Sequence, residues 1–250
     1  MSWSSRRRTI YFGLFAMFLL GIFYSSFYSF FYKPPTCFDG KQNQTEQGVD
    51  CGFPCSSVCS FQTMEPVVLW SRVFKLTNDV YNAMALVENA NSEAEAFGVP
   101  YSFKVYDDKN VLIYERIGKV DLLANSTVPI FERTIVTGER TPQRTFFEFS
   151  EEIKWEKAIK EQPDLFVKNK ELSYDNGKPR LNVTIENQTL KSFNNIEITA
   201  IVFDKEGNAI NVSQTIINSL PKSSSEDVVF TWSEPFVSEP GRTTIIPLVK

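Results

Sequence analysis

Residues 180–186 read Arg180-Leu-Asn-Val-Thr-Ile-Glu186, and their alternation decides the fold. Leu181, Val183 and Ile185 point to one side while Asn182, Thr184 and Glu186 point to the other, the period of two that a one-side-buried antiparallel strand requires. Outward from this segment the same grammar continues. Short apolar and β-branched runs, broken by Asn, Asp, Gly and Pro, predict further strands at Leu165–Leu172, Ile196–Phe203, Ala209–Thr215, Glu226–Trp232 and Thr243–Val249. Phe203-Asp-Lys-Glu-Gly-Asn208 reads as a hairpin turn in which Gly207 takes positive φ. Upstream, a matching set is expected at Val67–Phe74, Tyr81–Val87, Tyr101–Tyr106, Val111–Arg116, Ser126–Ile130 and Arg144–Phe149.

The two sets align at an offset of about 97 to 100 residues. Glu88-Asn89 answers Glu186-Asn187, and Val105-Tyr106-Asp107 answers Val202-Phe203-Asp204. Asn125-Ser126-Thr127 corresponds to Ser223–Ser225, and Arg144-Thr145 to Arg242-Thr243. This predicts an all-β ectodomain of two tandem immunoglobulin-like β-sandwiches, at residues 64–150 and 164–250, with Trp70, Phe103, Phe203, Phe230 and Trp232 in their cores. Neither repeat holds a Cys pair, so cohesion falls to apolar packing. Between them, residues 151–163 form a charged segment with Trp155, either a short helix or linker, or an insertion extending the last strand of the first repeat; Pro163 stops any helix there. On these turns and hairpins both repeats resemble the small bacterial and archaeal immunoglobulin-like domains called FxLYD or CARDB, the second more clearly. That resemblance implies a fold and a role in adhesion, display or assembly, without a ligand.

At the other end of the chain, Thr9 to Tyr32 carries no charge. At about 1.5 Å of rise per residue it reaches roughly 36 Å, enough to cross a hydrocarbon core of about 30 Å. A cleaved signal is the rival reading, but the apolar run exceeds the usual h-region and no small-x-small site precedes Pro34-Pro35. Arg6, Arg7 and Arg8 stand before the span and only Lys33 closely follows, so residues 1–8 are expected in the cytoplasm and the rest outside a cell membrane crossed once. Tyr24, Tyr28 and Tyr32 recur every fourth residue near the outer end, as an aromatic belt does.

All four cysteines, Cys37, Cys51, Cys55 and Cys59, fall in a neck at residues 33–63. An even count, close spacing and an exterior location favour two disulfides, with three connectivities open, over zinc held by four thiolates. Between the first two, Asp39, Asn43, Glu46 and Asp50 offer oxygens that could wrap calcium, although the EF-hand spacing is missing and a turn-rich loop capping its own backbone explains the same residues. The stretch Cys37 to Cys55 resembles a short motif of bacterial surface proteins, C-x-D-G-x-x-N-x-x-E-x-x-x-D-C-G-G-x-C, from which it departs at Phe53, where the motif has glycine.

Composition narrows the functions. The chain has no histidine, which removes Ser-His-Asp and Cys-His catalysis and the commonest metal ligand. Four of its 26 basic residues lie in the first 33, leaving 22 against all 30 acidic ones, so the exterior part is acidic and nucleic acid is not expected as a partner. Carboxylate pairs such as Glu151-Glu152 and Asp107-Asp108 are adjacent in sequence and read as solvated surface. The sequons at Asn43, Asn125, Asn182, Asn187 and Asn211 read as turn and strand chemistry. The expectation is a non-catalytic, cofactor-free membrane protein that meets the bilayer and a protein or surface-polymer partner, as a binding or assembly component. The alternative is an accessory or spacer subunit of a secretion, pilus or envelope complex.

Overall fold

The computed structural model describes residues 3–159, 163 and 165–249. It divides into two compact units, Met1–Cys55 and Ser56–Lys250.

The first unit opens with helix α1 (Trp3–Phe31), long and apolar enough by length and composition to cross a membrane. None of its apolar window is buried by the protein, so its apolar side chains face outward on all sides. Tyr24, Tyr28 and Tyr32 stack in sequence along one face, with ring centroids 6.4 and 4.5 Å apart.

Among its described residues the second unit has a single turn of 3-10 helix at Ser60–Gln62, and its strands all pair antiparallel. Its strands are β1 (Val67–Thr77), β2 (Val80–Asn89), β3 (Ala94–Tyr106), β4 (Leu112–Leu122), β5 (Ser126–Val136), β6 (Arg144–Phe149), β7 (Glu156–Lys157), β8 (Leu165–Asp175), β9 (Lys178–Asn187), β10 (Phe193–Asp204), β11 (Ala209–Leu220), β12 (Ser224–Thr231) and β13 (Pro240–Val249). Each of the twelve expected segments overlaps one of these; β7 was not foreseen. Among the described residues four sheets result, in orders β4-β3-β6 with β7 also on β3, β1-β2-β5, β11-β10-β13 and β12-β9-β8. The second half thus repeats the strand order of the first, β8 to β13 standing for β1 to β6.

Three buried clusters fill the spaces between sheets. Ala83, Ala85 and Val87 of β2 meet Tyr101, Phe103 and Val105 of β3 in the first. Leu181, Val183 and Ile185 of β9 meet Ile196, Ile198 and Val202 of β10 in the second. The third joins the halves: Met84 and Leu86, on the opposite face of β2, pack with Phe74 against Ile201 and Phe203 of β10 and Val212 of β11. Trp70 and Phe203, expected inside their own repeats, belong to this joining layer, because each points away from its own half's core. β2 and β10 are therefore covered on both faces, and Ala83–Val87 and Ile198–Phe203 are buried without a break.

The segment between the halves is neither a free linker nor, over its described part, a helix. Trp155 is buried in the first cluster, and β7 pairs Lys157 with Ala94 and Glu156 with Glu95. Ser56–Val58 lace to the same segment, Val58 N–H donating to the Trp155 carbonyl (2.9 Å) and Lys157 N–H to that of Ser56 (2.8 Å). A buried indole and paired backbone outweigh the exposed character that the surrounding charges suggest. Residues 160–162 of this segment lie outside the described residues.

An asparagine ties each half together at the same place. Asn89 Nδ2 reaches the carbonyls of Ala94 (3.0 Å), Leu122 (3.4 Å) and Leu123 (2.9 Å), and its Oδ1 accepts from Asn91 N–H (3.1 Å). Asn187 Nδ2 reaches Lys191 (2.8 Å), Leu220 (3.3 Å) and Pro221 (2.9 Å), and its Oδ1 accepts from Thr189 N–H (3.0 Å). Both are fully buried, so a side chain unable to make these bonds strands several carbonyls. Asn89→Ala and Asn187→Ala are each expected to cost about 2 kcal/mol or more, read as a lower urea midpoint. Met84→Ala, which opens a void in the joining layer, is expected to cost about 2–5 kcal/mol in the same measurement.

Candidate functional site

Two places gather chemistry: the cysteine loop of the first unit, and a groove between the halves of the second.

In the loop, Cys37 is bonded to Cys55, with Cα atoms 5.6 Å apart; Cys51 and Cys59 are also in disulfides and no cysteine is free. Of the four oxygen-bearing residues proposed for calcium, Asp39, Glu46 and Asp50 are tied to the loop through their oxygens, whereas Asn43 is tied through its N–H groups and its Oδ1 is buried without a hydrogen-bond partner among the described residues. Asp50 accepts from Asp39 N–H (3.0 Å) through one oxygen and from Gly40 N–H (2.8 Å) through the other. Asp39 accepts from Lys41 N–H (3.0 Å), Asn43 Nδ2 (2.8 Å) and Thr36 N–H (3.3 Å). Burial alone would raise the Asp39 carboxyl, but the bonds from Asn43, Thr36 and Lys41 outweigh it and hold it below the usual carboxylate value. Glu46, 7% exposed, accepts from Asn43 N–H (3.0 Å), and its other oxygen lies 3.1 Å from the Cys55 sulfur. Cys37, Glu46 and Cys55 are close enough to suggest a metal cluster. With the two sulfurs bonded to each other, neither is a thiolate ligand.

The groove follows from the gradient along the joining face of β10. Phe203 and Ile201 are apolar and sealed, whereas Thr199 and Glu197, two and four residues back towards the strand's start, are polar. Opposite Thr199 on β11 stands Gln214, whose Nε2 donates to Thr199 Oγ1 (3.3 Å) and whose Oε1 accepts from Arg133 of β5 (3.0 Å). Where the seal ends, a cavity of about 550 Å³ opens, within the range of ligand sites. Its apolar wall includes Phe131, Phe193 and Leu248, and Lys119, Arg133 and Lys191 bring positive charge to it. Among the carboxylates there, Asp121 is engaged by Gly98 N–H (2.8 Å).

Behind the groove wall sits a buried polar knot. Glu132, on the core side of β5 and 7% exposed, accepts from the Tyr101 hydroxyl (2.7 Å) and pairs with Arg116 Nε (3.5 Å). A Cβ at Gly118 would meet the Tyr101 ring, so the absence of a side chain there lets the ring lie across β4. Burial first, then the hydrogen bond and charge of Glu132, push the Tyr101 phenol well above its usual value. No sequence signal marked the groove or this knot, because their residues come from strands far apart along the chain.

Folded Tyr101 keeps its proton while the unfolded phenol loses it near pH 10, so the unfolded state binds fewer protons above that pH and stability falls as pH rises. The contribution is complete below about pH 10. Tyr101→Phe is expected to flatten that alkaline limb, seen as a smaller drop in thermal midpoint between neutral and alkaline buffer.

No protein-family model and no curated protein matches this chain. Among solved structures, similarity is found to a β-glucuronidase from glycoside hydrolase family 2 (TM-score 0.23, 8% identity, 68% of this chain and 24% of that one). Bacteroides uniformis β-glucuronidase gives 0.22, 10%, 68% and 22%, and red sea bream transglutaminase 0.22, 10%, 73% and 31%. The chain spans between about a fifth and a third of the length of these proteins, and likenesses this low bear on neither fold nor activity.

Proposed function

We propose that the protein is a single-pass, N-in membrane protein that presents two tandem immunoglobulin-like sandwiches outside the cell and binds a partner without catalysis. The observation that carries this reading is the groove at the joint. It combines an apolar wall with Lys119, Arg133 and Lys191, which outnumber the carboxylates Asp121 and Glu197 there, in a body that is acidic overall, and this suits a partner segment carrying acidic groups beside apolar side chains. The doubled strand order and the paired Asn89 and Asn187 ties support reading the halves as duplicated domains of the FxLYD or CARDB kind. The span before them supports an anchor, and the arginines ahead of it support the orientation.

The second reading, a spacer subunit of a secretion, pilus or envelope complex, is favoured by the joining layer, which makes the two halves one compact unit suited to holding a distance.

Crosslinking of tagged full-length protein in its native membrane, followed by capture and mass spectrometry, tests both. On the binding reading, a reproducible protein set is expected with the wild type and lost with the charge-reversed variant K119E/K191E, which leaves the Arg133–Gln214 bond between the halves in place and whose thermal midpoint is unchanged. Capture unaffected by charge reversal but lost when the β unit is deleted favours the spacer. Recovery of surface polymer alone keeps the binding reading and removes the spacer; recovery of nothing removes both.

A further inference from the structure

The cysteine loop exposes large apolar side chains. Phe38 is 88% exposed, Phe53 73% and Val49 57%, in a segment otherwise rich in polar groups. Scattered apolar residues on a surface need no explanation, but these three fall within one short loop whose ends and turns are tied. The Cys37–Cys55 bond holds the neighbours of Phe38 and Phe53 together, and the two oxygens of Asp50, next to Val49, clamp the N–H groups of Asp39 and Gly40, next to Phe38. Phe53 occupies a turn closed by Cys55 N–H on the Gly52 carbonyl (2.7 Å), at the position where the chain departs from the motif it resembles. Crosslink, clamp and turn together hold apolar groups outward at the expense of any packing among themselves.

The place of the loop in the chain says what solvent they meet. Phe38 lies six residues past Tyr32, a reach of at most about 22 Å from the end of the aromatic face of α1. A bilayer's interfacial layer, roughly 5–8 Å deep on each side, begins where that face ends. Lys33 and Lys41 flank Phe38 with charge suited to lipid phosphates, while the loop's carboxylates, Asp39, Glu46 and Asp50, accept hydrogen bonds from within the loop. We infer that Phe38, Val49 and Phe53 are a second membrane contact, a disulfide-braced foot seated in the headgroup and upper acyl region of the outer leaflet. Rigidity is the physical point: a braced loop loses little conformational freedom on insertion, so three side chains suffice to seat it. This rests on α1 being a membrane span.

The test is photo-crosslinking of the full chain in phosphatidylcholine–phosphatidylglycerol nanodiscs, with p-benzoylphenylalanine replacing one residue at a time. Leu20, within α1, reports the span itself; Thr45, an exposed polar position of the same loop, reports mere proximity. Lipid adducts at Leu20, and several-fold more adduct at 38 and 53 than at 45, are expected. Adducts at Leu20 with none at 38 and 53, equal labelling at 45, or crosslinks from 38 and 53 to protein alone, each overturn the foot while leaving the anchor. No lipid adduct at Leu20 overturns both. A second measurement guards against misfolding of the substituted loops: each variant must retain both disulfides by non-reducing mass spectrometry, and Phe38→Tyr, which keeps an interfacial ring, must leave the labelling at 53 unchanged.

Discussion

The apolar layer between the β1-β2-β5 sheet and the β11-β10-β13 sheet is the constraint on which the body depends. A sheet that covers one core can leave its other face to water, and most antiparallel sheets do. Here β2 and β10 surrender both faces, so Met84, Leu86, Ile201 and Phe203 remove from water the surface that would otherwise make two independent beads. The contact is not between like faces. It joins the β1-β2-β5 sheet of one half to the sheet of the other half that corresponds to β4-β3-β6, a head-to-tail arrangement.

Head-to-tail contacts propagate unless something stops them. The outer face of the β12-β9-β8 sheet carries Asn182, Thr184, Glu186 and Asp227 where its counterpart in the first half carries Met84 and Leu86, and Thr184 donates to Asp227 across it (2.6 Å). At the other end, Lys104 of β3 lies between Glu115 and Glu148 (3.9 and 2.7 Å). Polar outer faces close a stack of repeats. The two halves share one strand order and differ chiefly on the faces that must, or must not, be buried.

The same layer makes the groove. Because its apolar seal covers only the Ile201–Phe203 end of β10, the strand reaches the groove at the half-buried Glu197, beyond the buried Thr199, with Arg133 and Gln214 bridging the halves beside it (3.0 Å). A clamp at the sealed end matches it: Arg72 donates to the Ala209 carbonyl (3.2 Å) and Ser233 to that of Leu76 (2.7 Å). Polar contacts at the rim and apolar ones at the centre are the ordinary anatomy of an interface.

Strand positions, turns and the membrane-length helix were legible in the chain because each depends on local periodicity: two for Leu181-Val183-Ile185, and an uncharged run for Thr9–Tyr32. The near-constant offset between Asn89 and Asn187 was legible too, and the structure supplies its reason, since each ties the same three strand ends. One signal was present and passed over: Ala83–Val87 and Ile198–Phe203 lack polar alternation, as strands buried on both sides do. What the tertiary structure alone decided was which face of Trp70 and Phe203 met which neighbour, where Trp155 went, which cysteine joined Cys37, and that Tyr101, Arg116 and Glu132 converge. These are contacts between residues far apart in sequence, and their free energy comes from the packing of whole sheets, to which no single segment's pattern refers.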